Sequence, residues 1–147
     1  MKNTFKFGTK SKQILNNPQI SGDIRHLCNM ALQESEIDFS IIDGYRTALE
    51  QNALYKNKKT DFDGFVLESK HQSGNAIDVL PYVKDLDGNV IDCWDYKNPA
   101  SLLAWQEVHR AFLRSARILG LNIELGVTYI MKDGSFDYPH IQINSKA

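Results

Sequence analysis

His71 and Asp78 stand seven residues apart in the stretch Ser69-Lys70-His71-Gln72-Ser73-Gly74-Asn75-Ala76-Ile77-Asp78, and Asp137-Tyr138-Pro139-His140 begins 59 residues after Asp78. Imidazole nitrogens and carboxylate oxygens are the ligands of zinc in hydrolases, which commonly take three from the protein and leave a fourth position to water. His71, Asp78 and His140 meet that count. Asp137 is then a carboxylate close to the metal but not on it, as required of a base that takes a proton from water and returns it to a leaving amine. Gly74 permits the sharp turn that brings His71 and Asp78 to one point. Each residue also has an ordinary reading. A single histidine or aspartate on a loop is usually structural or solvated, and Asp137 could serve only to open the turn at Pro139.

Several elements must position these groups. Ser21 can cap a helix running to about residue 34, with Asp23 near its positive end and the stripe Ile24, Leu27, Cys28, Ala31 and Leu32 turned to a core. Ile37, Phe39 and Ile41 then alternate with Asp38 and Ser40 as a half-buried strand ending at Asp43-Gly44. Thr47-Ala48-Leu49-Glu50 has capping-box spacing, which starts a helix to about Tyr55 and fixes Arg46 at a strand-to-helix corner. The polar stretch 56–70, with Asp61, Asp63 and Gly64 as turn formers, is expected to be a mobile lid.

Residues 76–83 read as a strand in which Pro81 demands an edge position or a bulge. Asn98-Pro99 starts, and Gly120 ends, the longest helix, whose stripe is Leu102, Trp105, Val108, Phe112, Ala116 and Leu119. Short strands are expected near 121–125 and 140–143. The first 20 residues show no clear period and read as an irregular arm docked through Phe5, Phe7 and Ile14. The fold class is α+β: a single small domain over residues 1–147, with a short antiparallel sheet packed on about three helices and the metal at the sheet face.

At 147 residues, 42% hydrophobic and 24% charged, the chain suits one domain, with no room for a separate second module. A formal net charge of -1 argues against nucleic acid as a partner, since such binding rests on clustered Lys and Arg. The local clusters, Lys2, Lys6, Lys10 and Lys12 and then Lys56, Lys58 and Lys59, read as solvated faces. No window spans a bilayer and the start lacks a signal peptide's apolar core, so no stable membrane insertion and a cytoplasmic product are expected. Cys28 and Cys93 lack metal or redox spacing and are expected as free thiols. Asp85-Leu86-Asp87-Gly88-Asn89 superficially looks like a calcium loop. Its glycine directly follows the second aspartate and no glutamate closes twelve residues, so a turn is expected and no regulatory Ca2+. His109, within the long amphipathic helix, is expected to be a satisfied or exposed histidine and not a further ligand.

Ser69-x-His71-x-x-Gly74-x-Ala76-x-Asp78 followed by Asp137-x-x-His140 resembles the zinc peptidases that include D-Ala-D-Ala carboxypeptidases, hedgehog-like domains and bacteriophage L-alanyl-D-glutamate endopeptidases. The resemblance takes in Gly44-Tyr45-Arg46-Thr47 with Gln51 and Leu54-Tyr55, and Phe5-Lys6-Phe7-Gly8 near the start. It implies one zinc per chain held by His71, Asp78 and His140, with Asp137 as catalytic base. Arg46 would bind or polarise a carboxylate or carbonyl of the substrate, and Ser69 would support the ligands or touch the substrate. Aspartate at 137 and Pro139-His140, where the D-Ala-D-Ala carboxypeptidase branch typically carries glutamate and Trp-His, favour the phage endopeptidase branch. Where relatives often show Gly-Trp-type residues, this chain reads Leu125-Gly126-Val127-Thr128-Tyr129.

The implied function is a phage endolysin, a monomer held in the host cytoplasm until its release to the wall, in which zinc-bound water attacks a peptidoglycan stem-peptide carbonyl. The L-alanyl-D-glutamate bond is the expected target. The alternatives are a D-Ala-D-Ala carboxypeptidase of the same zinc class and a non-catalytic zinc-containing wall-binding module.

Overall fold

A computed structural model describes residues 3–128 and 130–146. Four helices and four strands follow in the order α1 (Thr9–Leu15), α2 (Gly22–Glu34), β1 (Asp38–Asp43), α3 (Ala48–Lys56), β2 (Ala76–Tyr82), α4 (Pro99–Leu119), β3 (Leu121–Leu125) and β4 (His140–Lys146). The strands form one antiparallel sheet in the order β1-β2-β4-β3. Helices α2 and α4 pack on each other, and α4 lies against β2 and β3. The α+β class is as expected, with four α-helices in place of about three.

The additional helix is α1, inside the supposed irregular arm. Its seven residues are too few to display a helical period, and Gly8 caps it without a side-chain hydrogen bond. The arm's docking is as expected. Phe7 and Leu15 are buried and Phe5 and Ile14 partly so. Phe7 meets Phe39 of β1 edge-on at 5.7 Å, and Phe39 meets Phe112 of α4 at 5.4 Å. Burial of one such ring stabilises the fold by about 1.5–3 kcal/mol. Ser11 adds a polar tie, donating to Ile41 O at 3.4 Å and accepting from Ile41 N at 3.0 Å.

The expected caps all form. Ser21 Oγ accepts from Ile24 N, Thr47 and Glu50 make a full capping box, and Asn98 accepts from Ala100 N. Helix α4 departs from its expected stripe at the start, because Leu102 is 37% exposed. The inward face begins instead with Ser101, Ala104 and Trp105, whose smaller first members admit the main chain of residue 93. Its carbonyl accepts from Ser101 Oγ at 3.2 Å and Trp105 Nε1 at 2.7 Å. Cys28 and Cys93 are free and buried, and burial pushes the Cys28 thiol up.

Two features of the sheet set the site. Strand β2 pairs with β1 over Asp78–Tyr82 but with β4 only over Ala76–Asp78, so the sheet forks at the pair Asp78↔His140. Pro81 lies past the fork opposite Phe39, where no β4 neighbour needs its missing N–H. Before β2, the chain makes a 3-10 turn over Lys70–Ser73 that ends at Gly74 with φ +75°. A Cβ there would strike the Gln19 carbonyl oxygen, and Ser21 N donates to Gly74 O at 3.0 Å, so the turn is pressed against the segment before α2.

Asp85–Asn89 forms the expected turn, Asp85 Oδ1 accepting from Asp87 N and Asn89 N at 2.9 Å. The 56–70 stretch, expected to be a mobile lid, is tied to its surroundings. Asp63 Oδ1 accepts the amides of Phe65, Val66 and Leu67, Gln72 donates to Gly64 O at 2.9 Å, and Asn52 donates to Asp63 O at 2.9 Å.

Gly74→Ala should cost more than about 1 kcal/mol of stability, because it adds a Cβ at positive φ and at a backbone contact. Urea denaturation checks this; a midpoint unchanged from wild type would show that the turn accepts a side chain.

Candidate metal centre

His71 is buried at the start of the Gly74 turn, and the turn's own cap holds it. Ser69 Oγ accepts from His71 N at 3.2 Å, while Gln72 Oε1 accepts from Ser69 N at 2.9 Å. Ser69 therefore supports the ligand turn from beneath while also lining the cavity above. The strand-to-helix corner clasps His71 twice, since Arg46 N donates to His71 O at 3.1 Å and His71 Nδ1 lies 2.7 Å from Gly44 O. A carbonyl oxygen only accepts, so Nδ1 carries the proton and Nε2 presents its lone pair.

His140 is held by the same logic with the nitrogens exchanged. Its Nε2 lies 2.8 Å from Gln142 Oε1, and the Gln142 amide is oriented by donating to Glu124 Oε2 at 3.0 Å and Asn144 Oδ1 at 2.7 Å. Nε2 thus donates and Nδ1 presents its lone pair. Asp78 stands directly across the sheet from His140. Its buried Oδ1 makes no hydrogen bond.

These three atoms face one another. His71 Nε2 and His140 Nδ1 are 3.2 Å apart, and Asp78 Oδ1 is 3.3 Å from the first and 3.5 Å from the second. Ligands about 2.0–2.1 Å from a tetrahedral zinc stand roughly 3.3–3.4 Å from each other, so the triangle has the edge lengths of one tetrahedral face. Two imidazole lone pairs and a carboxylate oxygen at this separation repel unless a cation joins them. The titration of the same groups shows that this point favours positive charge. Burial, the largest influence on Asp78, favours its neutral form, yet His71 and His140 outweigh it and hold the carboxyl well below the usual range. Burial alone would lower His140, but Asp78, Gln142 and Asp137 raise it above the ordinary imidazole value. The donor set fits a metal ion.

Arg46 does not present an open fork to the cavity. Its Nε donates to Asp43 Oδ2 at 2.8 Å, Nη1 to Gln51 Oε1 at 2.9 Å and Nη2 to Asp78 Oδ2 at 3.2 Å. Nη2 also pairs with Asp43 Oδ2 at 2.6 Å. The guanidinium aligns Asp78 from behind so that Oδ1 turns to the histidines. The fully buried Gln51 continues the chain, donating to Thr60 Oγ1 at 3.2 Å and Phe62 O at 2.9 Å and so tying the 60–62 segment to Arg46.

Asp137 shares with the triad a cavity of about 220 Å3 that Arg46, Leu54, Phe62 and Ser69 also line. Its turn closes through His140 N to Asp137 O at 3.2 Å and Asp137 N to Gly126 O at 3.3 Å. Gly126 is required there, since a Cβ would meet the Asp137 carbonyl and come within 2.9 Å of the His140 Cβ. From behind, Tyr138 stacks on Tyr96 at 4.4 Å and accepts through its carbonyl from His109 Nε2 at 3.0 Å. His109 is thus a satisfied buried histidine, held below its ordinary pKa first by burial. Burial, then Asp78, raises the Asp137 carboxyl above the usual value against the opposing pull of His140, His71 and Arg46.

All six residues singled out in the sequence, Arg46, Ser69, His71, Asp78, Asp137 and His140, line one cavity. Of the stretch 125–129, where the chain departs from the family pattern, Leu125 and Val127 line a groove along α4 and not the metal cavity, and Tyr129 lies outside the described residues. Sequence reasoning missed Gln142 and Asp43. Gln142 was detectable in principle, because a residue two beyond His140 on a strand shares its face.

Fold and site together define a small α+β domain built around one candidate metal centre. Residues 3–143 match the family described as phage L-alanyl-D-glutamate peptidase. The L-alanyl-D-glutamate peptidase of Escherichia phage T5 is 28% identical over 95% of this chain and 98% of its own length. The crystal structure of the Serratia marcescens L-Ala D-Glu endopeptidase ChiX shares the fold, with a TM-score of 0.71 at 23% identity over 95% of this chain and 90% of that one. The chain belongs to the phage L-alanyl-D-glutamate peptidase family and is an enzyme of peptidoglycan hydrolysis.

Gln142→Leu should weaken divalent-metal affinity about 10- to 100-fold by releasing the His140 ring. Titration against a chromophoric chelator measures this. An unchanged affinity would mean that another group fixes the ring.

Proposed function

We propose that the protein is a zinc endopeptidase that cleaves the L-alanyl-D-glutamate bond of the peptidoglycan stem, with His71, Asp78 and His140 as ligands and Asp137 as the base. The observation that carries this reading is the 3.2, 3.3 and 3.5 Å triangle of lone pairs whose outer N–H groups are already committed. When bound, zinc supplies Lewis acidity and lowers the pKa of water at its open position to about 7.

The chain's own groups do the rest. The Asp137 carboxylate, on the wall of the same cavity, accepts a proton from the attacking water as its oxygen bonds to the alanyl carbonyl carbon. As the C–N bond breaks, that proton passes to the departing amine of D-glutamate. The raised pKa of Asp137 suits the task, because a stronger base takes the proton more readily. Arg46 acts through Asp78: it holds the carboxylate aimed, and a lysine in its place would lose the three-way fork to Asp43, Gln51 and Asp78. Ser69 keeps the His71 turn in shape. One catalytic domain acting as a monomer on the wall, after release from the cytoplasm in which it is made, completes the proposal.

His71→Ala and His140→Ala should each lose bound zinc and activity, whereas Asp137→Ala should keep zinc and lose activity by at least about 100-fold, the usual weight of general base catalysis. Metal analysis and turnover of the purified variants test this, and a zinc-free Asp137→Ala would assign Asp137 to the metal instead. Mass spectrometry of digested, defined peptidoglycan should show free stems beginning at D-glutamate. Loss of only a terminal alanine would make the enzyme a carboxypeptidase.

A further inference from the structure

The metal cavity opens into a larger groove of about 700 Å3 between the end of α3 and the 131–137 segment, and Lys59, Thr60, Met131 and Asp137 belong to both. Lys56, Lys58, Lys59 and Lys132 line this groove. Among the described residues none of these four ammonium groups has a carboxylate partner. Besides Asp137, two acidic residues line the same walls, and both accept hydrogen bonds from neighbours other than the lysine ammonium groups. Asp61 Oδ2 accepts from Lys132 N at 3.1 Å, and Asp133 Oδ1 accepts from Ser135 N at 2.9 Å and Ser135 Oγ at 2.6 Å. Lys58 sits at φ +58°, in a conformation unusual for a residue with a side chain, as the chain turns off α3 into this wall. The solvated-face reading of the 56–59 lysines leaves that placement unused.

The two sides of the scissile bond differ in charge. A D-glutamyl residue has two carboxyl groups and spends one on its onward bond, so the other stays a carboxylate on the leaving side. The alanyl side has none. Asp137 must also face the leaving side, because the amine that receives its proton is that of D-glutamate, and Asp137 stands where cavity and groove join. Base and cations therefore point the same way.

We infer that the lysine-lined groove is the subsite for the D-glutamate half of the substrate, with Lys59 and Lys132 pairing with its free carboxylate and so fixing the direction in which the stem peptide crosses the metal site. This rests on the endopeptidase reading above. The ordering follows: the stem continues beyond D-glutamate along Lys56 and Lys58.

Two matched L-alanyl-D-glutamyl peptides test it, one with the free glutamate carboxylate and one with that group amidated. Wild type should show the lower KM for the carboxylate form, and the preference should shrink as salt is raised. In Lys59→Gln/Lys132→Gln, KM for the carboxylate peptide should rise about three- to tenfold, as for two solvent-screened ion pairs. Its kcat should stay within about twofold and the preference should vanish. Lys10→Gln, on the exposed face of α1, should change nothing. Calorimetric titration with the product peptide that begins at D-glutamate, and with its amide, asks the same question without turnover. If wild type cleaves the bond but the double variant keeps the preference, the subsite is overturned alone. If wild type does not cleave yet binds the product through these lysines, the bond assignment falls and the subsite stands. If neither cleavage nor lysine-dependent binding is seen, both fall.

Discussion

Two outward hydrogen bonds govern this molecule: His71 Nδ1 to the carbonyl of Gly44, and His140 Nε2 to the side-chain oxygen of Gln142. Each fixes a tautomer, and together they turn two lone pairs toward the oxygen of Asp78. Almost every element supplies one of the two acceptors or braces it. Gly44 directly follows β1 and lies so close to Ile14 and Ile20 that a Cβ would come within 2.6 Å of the Ile14 side chain, so α1 and the segment after it set where that carbonyl stands. Gln142 is aligned by Glu124 of β3 and Asn144 of β4. Strand β3 thus braces the His140 ring at one remove, through Gln142.

The second consequence is electrostatic. A buried carboxylate is costly unless it is paired and hydrogen-bonded. Asp78 divides its oxygens: Oδ2 accepts from Arg46, while the buried Oδ1 makes no hydrogen bond and is left, with the two histidine lone pairs, for a cation. Arg46 in turn commits its remaining contacts to Asp43 and Gln51, and Gln51 reaches the 60–62 segment that walls the cavity. A continuous polar chain therefore runs from the site to the loop beside it. This makes the arginine a builder of the site and not an open hand toward substrate, a role that residue type alone does not distinguish.

The sequence carried the caps, the apolar stripes and the six cavity residues because each rests on local chemistry: Thr47 with Glu50, Ser21, Asn98 with Pro99, and Gly74 before β2. It did not reveal α1, whose seven residues are stabilised by packing of Phe7 and Leu15 against β1 and α4 and not by propensity. Nor did it reveal the acceptors that set the tautomers. Gly44 O is a backbone atom with no signature, and Gln142 acts through pairing across strands that lie 18 residues apart in sequence. Gly126 shows the same limit, since its need follows from a close approach by Asp137 and His140. Contacts between distant segments are written in register, and register is the weakest local signal a strand carries.

The fork in the sheet divides the chain into parts with very different freedom. Asp78 and His140 face each other because of strand register, so slipping β2 or β4 by one residue would send a ligand to the opposite face. The path between those strands has no such constraint at its tip. The Asp85–Asn89 turn closes on itself, its Leu86 is fully exposed, and it touches neither the metal cavity nor the lysine groove. Lengthening a surface loop adds only slowly to its closure entropy. The protein thus has a built-in port at which a foreign segment, a wall-targeting module among them, can be spliced without changing the hand of the chemistry.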